Sequence, residues 1–224
     1  MLDLETIARK HLKDVRPDEI DSHIDKAFDF TRYDYEVLCD KSIQSFRIKL
    51  GTHLEDFWND IFTRLGINLI EDTLEPQGFY KRNGKGFKKG DPKPNKVKKN
   101  NLVKVGGKNR QIDHYIRFVK DPTTGMWKLY LESKCNLNFD TEKTVASNEK
   151  VDQVCDALDA NEGAYFVPVL DTIPQDVIAK YPNSTIYGVR DILNMIGNPF
   201  TPEKYFAVLR SIKEELIQDI KDGN

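Results

Sequence analysis

The sequence predicts an α/β protein with a central mixed sheet flanked by helices and a helical N-terminal region. Three observations predict it. Apolar residues recur at helical spacing over residues 1–70; two runs of strict alternation, 112–118 and 128–134, flank the turn sequence Asp121-Pro122-Thr123-Thr124-Gly125; and helical and strand-like patterns then alternate to the C-terminus.

Taken in order, Leu2, Ile7 and Leu12, then Ile20, Ile24 and Phe28, mark two helical faces, with Pro17 standing near a helix start. A longer run over 37–61 carries Val37, Ile43, Phe46, Leu50, Leu54, Phe57, Trp58 and Ile61. Gly51 is placed to break or bend it, and Gly66 to stop it. Residues 78–108 shift to Lys, Gly, Asn and Pro, with too little apolar surface to order themselves, and are expected to form a basic loop or arm. After the hairpin, 142–158 reads as a helix, 164–170 as a buried strand and 185–189 as a short one. Residues 189–196 and 202–220 read as helices, the last with Tyr205, Leu209, Ile212, Leu216 and Ile220 on one face. The expected organisation is one domain over 1–224, made of a helical part (1–70), the basic arm (78–108) and an α/β core (109–224).

A chain of 224 residues, 39% apolar and 31% charged, has the composition of an ordinary globular protein able to bury a core. No stretch approaches the roughly 20 apolar residues of a membrane span, and the N-terminus lacks a basic-then-apolar leader, so a cytoplasmic protein with no membrane partner is expected. Cys39, Cys135 and Cys155 form no C-x-x-C pair and are expected as free thiols. The net charge of −2 is unevenly spread. Residues 81–110 hold twelve Lys or Arg against one acid, Asp91, a net +11 that leaves −13 on the rest. A basic block on an acidic body is the pattern of a local phosphate-binding surface.

The period of two in the hairpin strands assigns faces. Ile112, Ile116 and Phe118 lie on one side and Asp113, Tyr115 and Arg117 on the other; Leu129 and Leu131 lie opposite Glu132 and Lys134. If the apolar sets share a face, Asp113, Glu132 and Lys134 share the other. Mg²⁺ takes oxygen ligands, commonly one or two carboxylates with several waters, which Asp113 and Glu132 could supply. A lysine beside them, Lys134, could orient a water for attack on phosphorus and offset growing negative charge. His114 alternates with Asp113 and is expected to pack on the core side; His11, His23 and His53 have no ligand spacing.

With eighteen residues between Asp113 and Glu132, the run Gln111-Ile112-Asp113 followed by Leu131-Glu132-Ser133-Lys134 resembles the PD-(D/E)xK restriction-endonuclease-like nucleases. The resemblance covers roughly residues 108–160, and the stretch 132–140 is most similar to type II restriction enzymes. It departs in having Ile112 where the name-giving proline would stand. What the resemblance implies is a core of mixed strands flanked by helices, Mg²⁺ as cofactor, and cleavage of duplex DNA to leave 5′-phosphate ends. It also implies a homodimer and a companion DNA methyltransferase protecting the same site. Many such enzymes carry a glutamate on a helix before the hairpin; Glu55 is the candidate, ahead of Glu36. Gln153, in the helix after the motif, could approach the site, but a solvated helix residue is the expectation.

For DNA binding, Lys81, Arg82, Lys104, Lys108, Arg110 and Lys143 can neutralise phosphates, making affinity salt-dependent. Asn109, Asn136, Asn138 and again Arg110 are the side chains nearest the motif that could match base edges. Alternative readings are a repair or structure-selective nuclease of the same fold, and a DNA-binding protein without catalysis.

Overall fold

In a computed structural model that describes residues 2–12, 43–70, 77–80, 96–99, 102–121, 123, 125–135 and 141–221, fourteen elements follow one another. They are α1 (Leu4–Leu12), α2 (Ile43–Arg64), β1 (Gln77–Tyr80), β2 (Lys96–Lys99), β3 (Leu102–Val105), β4 (Lys108–Gln111), β5 (His114–Asp121) and β6 (Gly125–Ser133). After these come α3 (Thr141–Ala157), β7 (Glu162–Phe166), α4 (Gln175–Lys180), β8 (Ile186–Tyr187), α5 (Val189–Met195) and α6 (Pro202–Lys221). Residues 13–42, with the features read at Pro17, Ile20, Ile24, Phe28, Glu36 and Val37, lie outside the described residues.

The alternating runs form the antiparallel pair β5–β6, and β7 and β8 add in parallel to give a four-stranded mixed sheet ordered β5-β6-β7-β8. The α/β class with a central mixed sheet flanked by helices is therefore observed. The open edge of β5 is partly covered by the segment after α2, since Leu69 N–H donates to Tyr115 O at 2.8 Å and Arg117 N–H to Ile67 O at 2.9 Å. That segment can turn back because Gly66 takes φ +68°, ending α2 as the sequence suggests, with Ile67 N–H bonded to Phe62 O.

Three expectations need correction, the third being the face of Ile112. Gly51 does not break the long helix: α2 runs continuously through it. A glycine inside a helix costs only about 1 kcal/mol, which the buried face of α2 outweighs. The basic arm is also not all loop. β1 pairs with β2, and β3 with β4, as two separate antiparallel ribbons. Lysine-rich as they are, the segments alternate over Lys96-Val97-Lys98 and Val103-Lys104-Val105, and cross-strand pairing satisfies backbone groups that would otherwise need water.

Both faces of the sheet are buried. On one, Ile116, Phe118, Leu129, Leu131 and Phe166 pack with Leu4, Ile7 and Leu12 of α1, the Leu54 to Phe62 stripe of α2, and Tyr205, Leu209 and Ile212 of α6. Trp58 anchors this layer, edge-on to Phe166 at 5.0 Å and donating Nε1–H to the Tyr205 hydroxyl, which donates to Pro168 O. On the other face Tyr115, Tyr130 and Tyr165 lie under Val151 and Val154 of α3 and Leu158 just after it. Ile112 belongs to this second cluster, not beside Ile116 as strict alternation implies, because the chain bends at Ile112-Asp113 before β5 begins and resets the phase. Among the described residues no helix is long and apolar enough to cross a membrane.

The seat of α3 depends on Gly163. A Cβ there would lie 2.9 Å from Val151 Cγ1 and 3.1 Å from Cys155 Cβ, so helix and strand meet where only a glycine fits. Gly163→Leu is expected to lower stability by about 1–3 kcal/mol through overpacking, seen as a lower urea midpoint; an unchanged midpoint would mean α3 has slack.

Candidate active site

The β5–β6 register pairs His114 with Leu131 and so brings Asp113, in the bend before β5, level with Glu132 near the end of β6. Ser133 N–H donates to Asp113 Oδ2 at 2.9 Å. Lys134 follows directly, its own N–H bonded to Phe166 O at 2.8 Å, which continues the ladder to β7 and fixes where its side chain starts. Asp113 and Glu132 are only 8% and 6% exposed, a costly setting for carboxylates without partners.

Glu132 is fully engaged. Tyr130 donates its hydroxyl to Oε2 at 2.7 Å, Lys134 Nζ donates to Oε1 at 2.9 Å, and Lys150 Nζ reaches both oxygens at 2.6 Å. Lys150 comes from α3, four residues before the buried Val154 and hence on the flank of that helix's buried stripe.

The helix α2 completes the site from the other side. Asn59 donates Nδ2–H to Asp113 O at 2.9 Å, and His114 Nδ1 lies 2.9 Å from Asn59 Oδ1. Since Asn59 must give its amide hydrogens to the carbonyl, its oxygen is the acceptor and His114 carries its proton on Nδ1. His114 is fully buried, with Nε2 lacking a hydrogen-bond partner, and burial pushes its imidazole down to about 3. It is a packed neutral histidine, in ring contact with Phe62 and Phe166. Glu55 stands four residues before Asn59, on the same face of α2.

The charges of these groups interact strongly. Burial, then the charges of Asp113, Glu132 and Asp56, push the Glu55 carboxyl up to about 8. Burial and the charge of Glu132 push Asp113 up to about 6, against the Ser133 hydrogen bond and the two lysines. Burial alone would raise Glu132 as well, but the charges of Lys134 and Lys150, with the hydrogen bonds from Lys150 and Tyr130, hold it below the ordinary value. An ionised Glu132 therefore sits beside two carboxyls that resist ionising.

Among the described residues no group of three or more His, Cys, Asp or Glu side chains makes a ready metal cage. Mg²⁺ asks for less, one or two carboxylates with waters, and the all-oxygen pair Asp113 and Glu132 meets that demand. Glu55, Asp113 and Glu132 oppose one another's ionisation, and a divalent cation would relieve that repulsion. The donor chemistry fits the ion.

Of the residues read as DNA-binding, Lys104, Lys108 and Asn109 are exposed on the β3–β4 ribbon that leads into Asp113, with Lys104 paired across from Asn109. Arg110 is half-buried, its Nε enclosed without a hydrogen-bond partner, while Val103 and Val105 pack toward the second cluster. Lys143 lies in the first turn of α3. Lys81, Arg82, Asn136 and Asn138 lie outside the described residues. Gln153 is exposed, as expected. Sequence reasoning missed Lys150, Asn59 and Tyr130. A groove of about 660 Å³ beside Arg117, Met126 and Met195, near the hairpin turn, contains no carboxylate and is separate from this site.

Compared with protein-family models, curated protein sequences and solved structures, the chain has no match.

Proposed function

We propose that the chain is a Mg²⁺-dependent endonuclease of the type II restriction kind, with a restriction-endonuclease-like fold, hydrolysing phosphodiester bonds of duplex DNA to leave 5′-phosphate ends. The observation that carries this reading is the meeting of Asp113, Glu132 and Lys134 at one end of the hairpin, with Lys134 Nζ 2.9 Å from Glu132 Oε1. The antiparallel β5–β6 pair extended in parallel by β7 and β8 supports the fold reading.

Asp113 and Glu132 would hold Mg²⁺, which supplies a water acidified toward neutral pH and positive charge beside the phosphate. The protein's own groups do the rest. Lys134 orients the attacking water and offsets the charge that grows on the phosphoryl oxygens. Tyr130 and the Ser133 N–H keep the two carboxylates in position, and Asn59 holds the backbone at Asp113. Glu55 adds a third carboxyl able to hold a water by hydrogen bond. The exposed Lys104, Lys108 and Asn109 place the β3–β4 ribbon to meet the DNA, a two-stranded ribbon being narrow enough for the major groove. A homodimer, a cytoplasmic setting and a companion DNA methyltransferase belong to the same reading.

The test is digestion of long, unmethylated duplex DNA in Mg²⁺ and in EDTA, with sizing of the products. Discrete fragments with Mg²⁺ alone support the reading. A metal-dependent smear assigns the chain to a repair or structure-selective nuclease, and intact DNA with retained binding makes it a non-catalytic DNA-binding protein.

A further inference from the structure

Lys150 has no place in the motif that defines the site, yet it makes the closest contacts in it. Its ammonium lies 2.6 Å from both oxygens of Glu132, astride the carboxylate where a cation bound by that group would sit. With Tyr130 on Oε2 and Lys134 on Oε1, Glu132 accepts four hydrogen bonds, about the full capacity of a carboxylate. A divalent ion cannot ligate Glu132 without displacing one of these donors. Tyr130 is fully buried and belongs to the same strand as Glu132; Lys134 adjoins it in sequence and is tied by its backbone to Phe166. Lys150 alone comes from a separate element, α3. Its side chain is about a quarter exposed, so it can swing to water without unpacking the core.

We propose that Lys150 is a positioning residue that acts as an internal cation: it occupies and orients both oxygens of Glu132 in the metal-free protein and is exchanged for the divalent ion on binding. The inference rests on the metal-dependent nuclease reading. It gives α3 a role in setting metal affinity, and it makes metal entry an exchange of one cation for another, so that the buried Glu132 is never left uncompensated.

The experiment is calorimetric titration of Ca²⁺ into the DNA-free protein, for wild type, Lys150→Met and Lys150→Arg, each checked for folding by circular dichroism. Removing a competitor for Glu132 is expected to tighten Ca²⁺ binding by roughly tenfold in Lys150→Met, the equivalent of one part-buried ion pair. The forked guanidinium of Lys150→Arg, harder to displace from a carboxylate, is expected to weaken it. A merely structural lysine gives the opposite sign, since its loss would disorder Glu132 and weaken binding. Ca²⁺ affinity in Lys150→Met equal to or below that of wild type overturns the proposal while leaving the nuclease reading intact. If Lys150→Met does not fold, Lys150→Arg decides: binding as tight as wild type or tighter overturns the proposal. Absence of Ca²⁺ binding in the wild type overturns both.

Discussion

Lys134→Ala is expected to lose roughly 10²–10³-fold or more of its cleavage rate while keeping its fold and its affinity for DNA in Ca²⁺. The loss has the size of removing one preorganised charge aimed at the transition state. Lys134 is about one-third exposed and its backbone is fixed by Phe166, so the strand does not depend on its side chain. Asp113→Ala is expected to be at least as damaging to cleavage, because it removes one of the two carboxylates proposed to hold Mg²⁺. Its fold should survive with some loss of stability, since the Asn59 contact is to the backbone carbonyl of residue 113 and the lost side-chain contact is the one hydrogen bond from the Ser133 N–H. Rates on a DNA substrate, with circular dichroism and Ca²⁺ binding isotherms as controls, check both. Near-wild-type cutting by either folded variant would remove that residue from the chemistry.

A second large effect is expected in stability. Glu55 and Asp113 have folded pKa values of about 8 and about 6, above their unfolded values near 4. A raised carboxyl pKa means that the folded state holds the proton more tightly than the unfolded one. The contribution of these groups to stability is therefore most favourable below about pH 4 and is lost as pH rises through about 8. Glu132 has the opposite sign, its lysines making the ionised form the stable one. A divalent ion reverses the loss at Glu55 and Asp113 by neutralising their repulsion, so the rise in Tm with Ca²⁺ is expected to be larger at pH 8 than at pH 5. At about 100 times the dissociation constant, ligand binding adds about 2.7 kcal/mol, or roughly 5–10 °C for a chain of this length. In Glu55→Gln the metal-free Tm at pH 8 should rise, because a half-buried charge facing Asp113 and Glu132 is gone. Thermal denaturation across this pH range decides; a Ca²⁺ effect independent of pH would contradict the electrostatic account.

How far the sequence reveals the molecule follows from which forces act locally. Asp113, Glu132 and Lys134 are legible because period-two alternation assigns side chains to faces, and the turn at 121–125 sets which strand positions meet. The face they share is itself buried, which alternation does not reveal: Tyr115 and Tyr130 cover it beneath α3, and that burial perturbs the carboxylates. Lys150 and Asn59 are not legible, because each reaches the site through the packing of a helix against the sheet, and helical periodicity gives a face without its neighbour. The phase of Ile112 is not legible because a bend leaves no mark in a hydrophobic pattern. α4 has no buried residue, hence no apolar stripe to reveal it. The ribbons β1–β2 and β3–β4 are hidden by their lysines, since charge-rich composition is the usual mark of a loop.

The measurement that tests the central claim most directly is hydrolysis of supercoiled, unmethylated plasmid DNA by the purified protein, followed by analysis of the product ends. The account predicts nicked and linear DNA only in the presence of Mg²⁺, arrest by EDTA, and ligatable ends bearing 5′-phosphate. Plasmid that stays intact in Mg²⁺, or is cut equally well in EDTA, would contradict it.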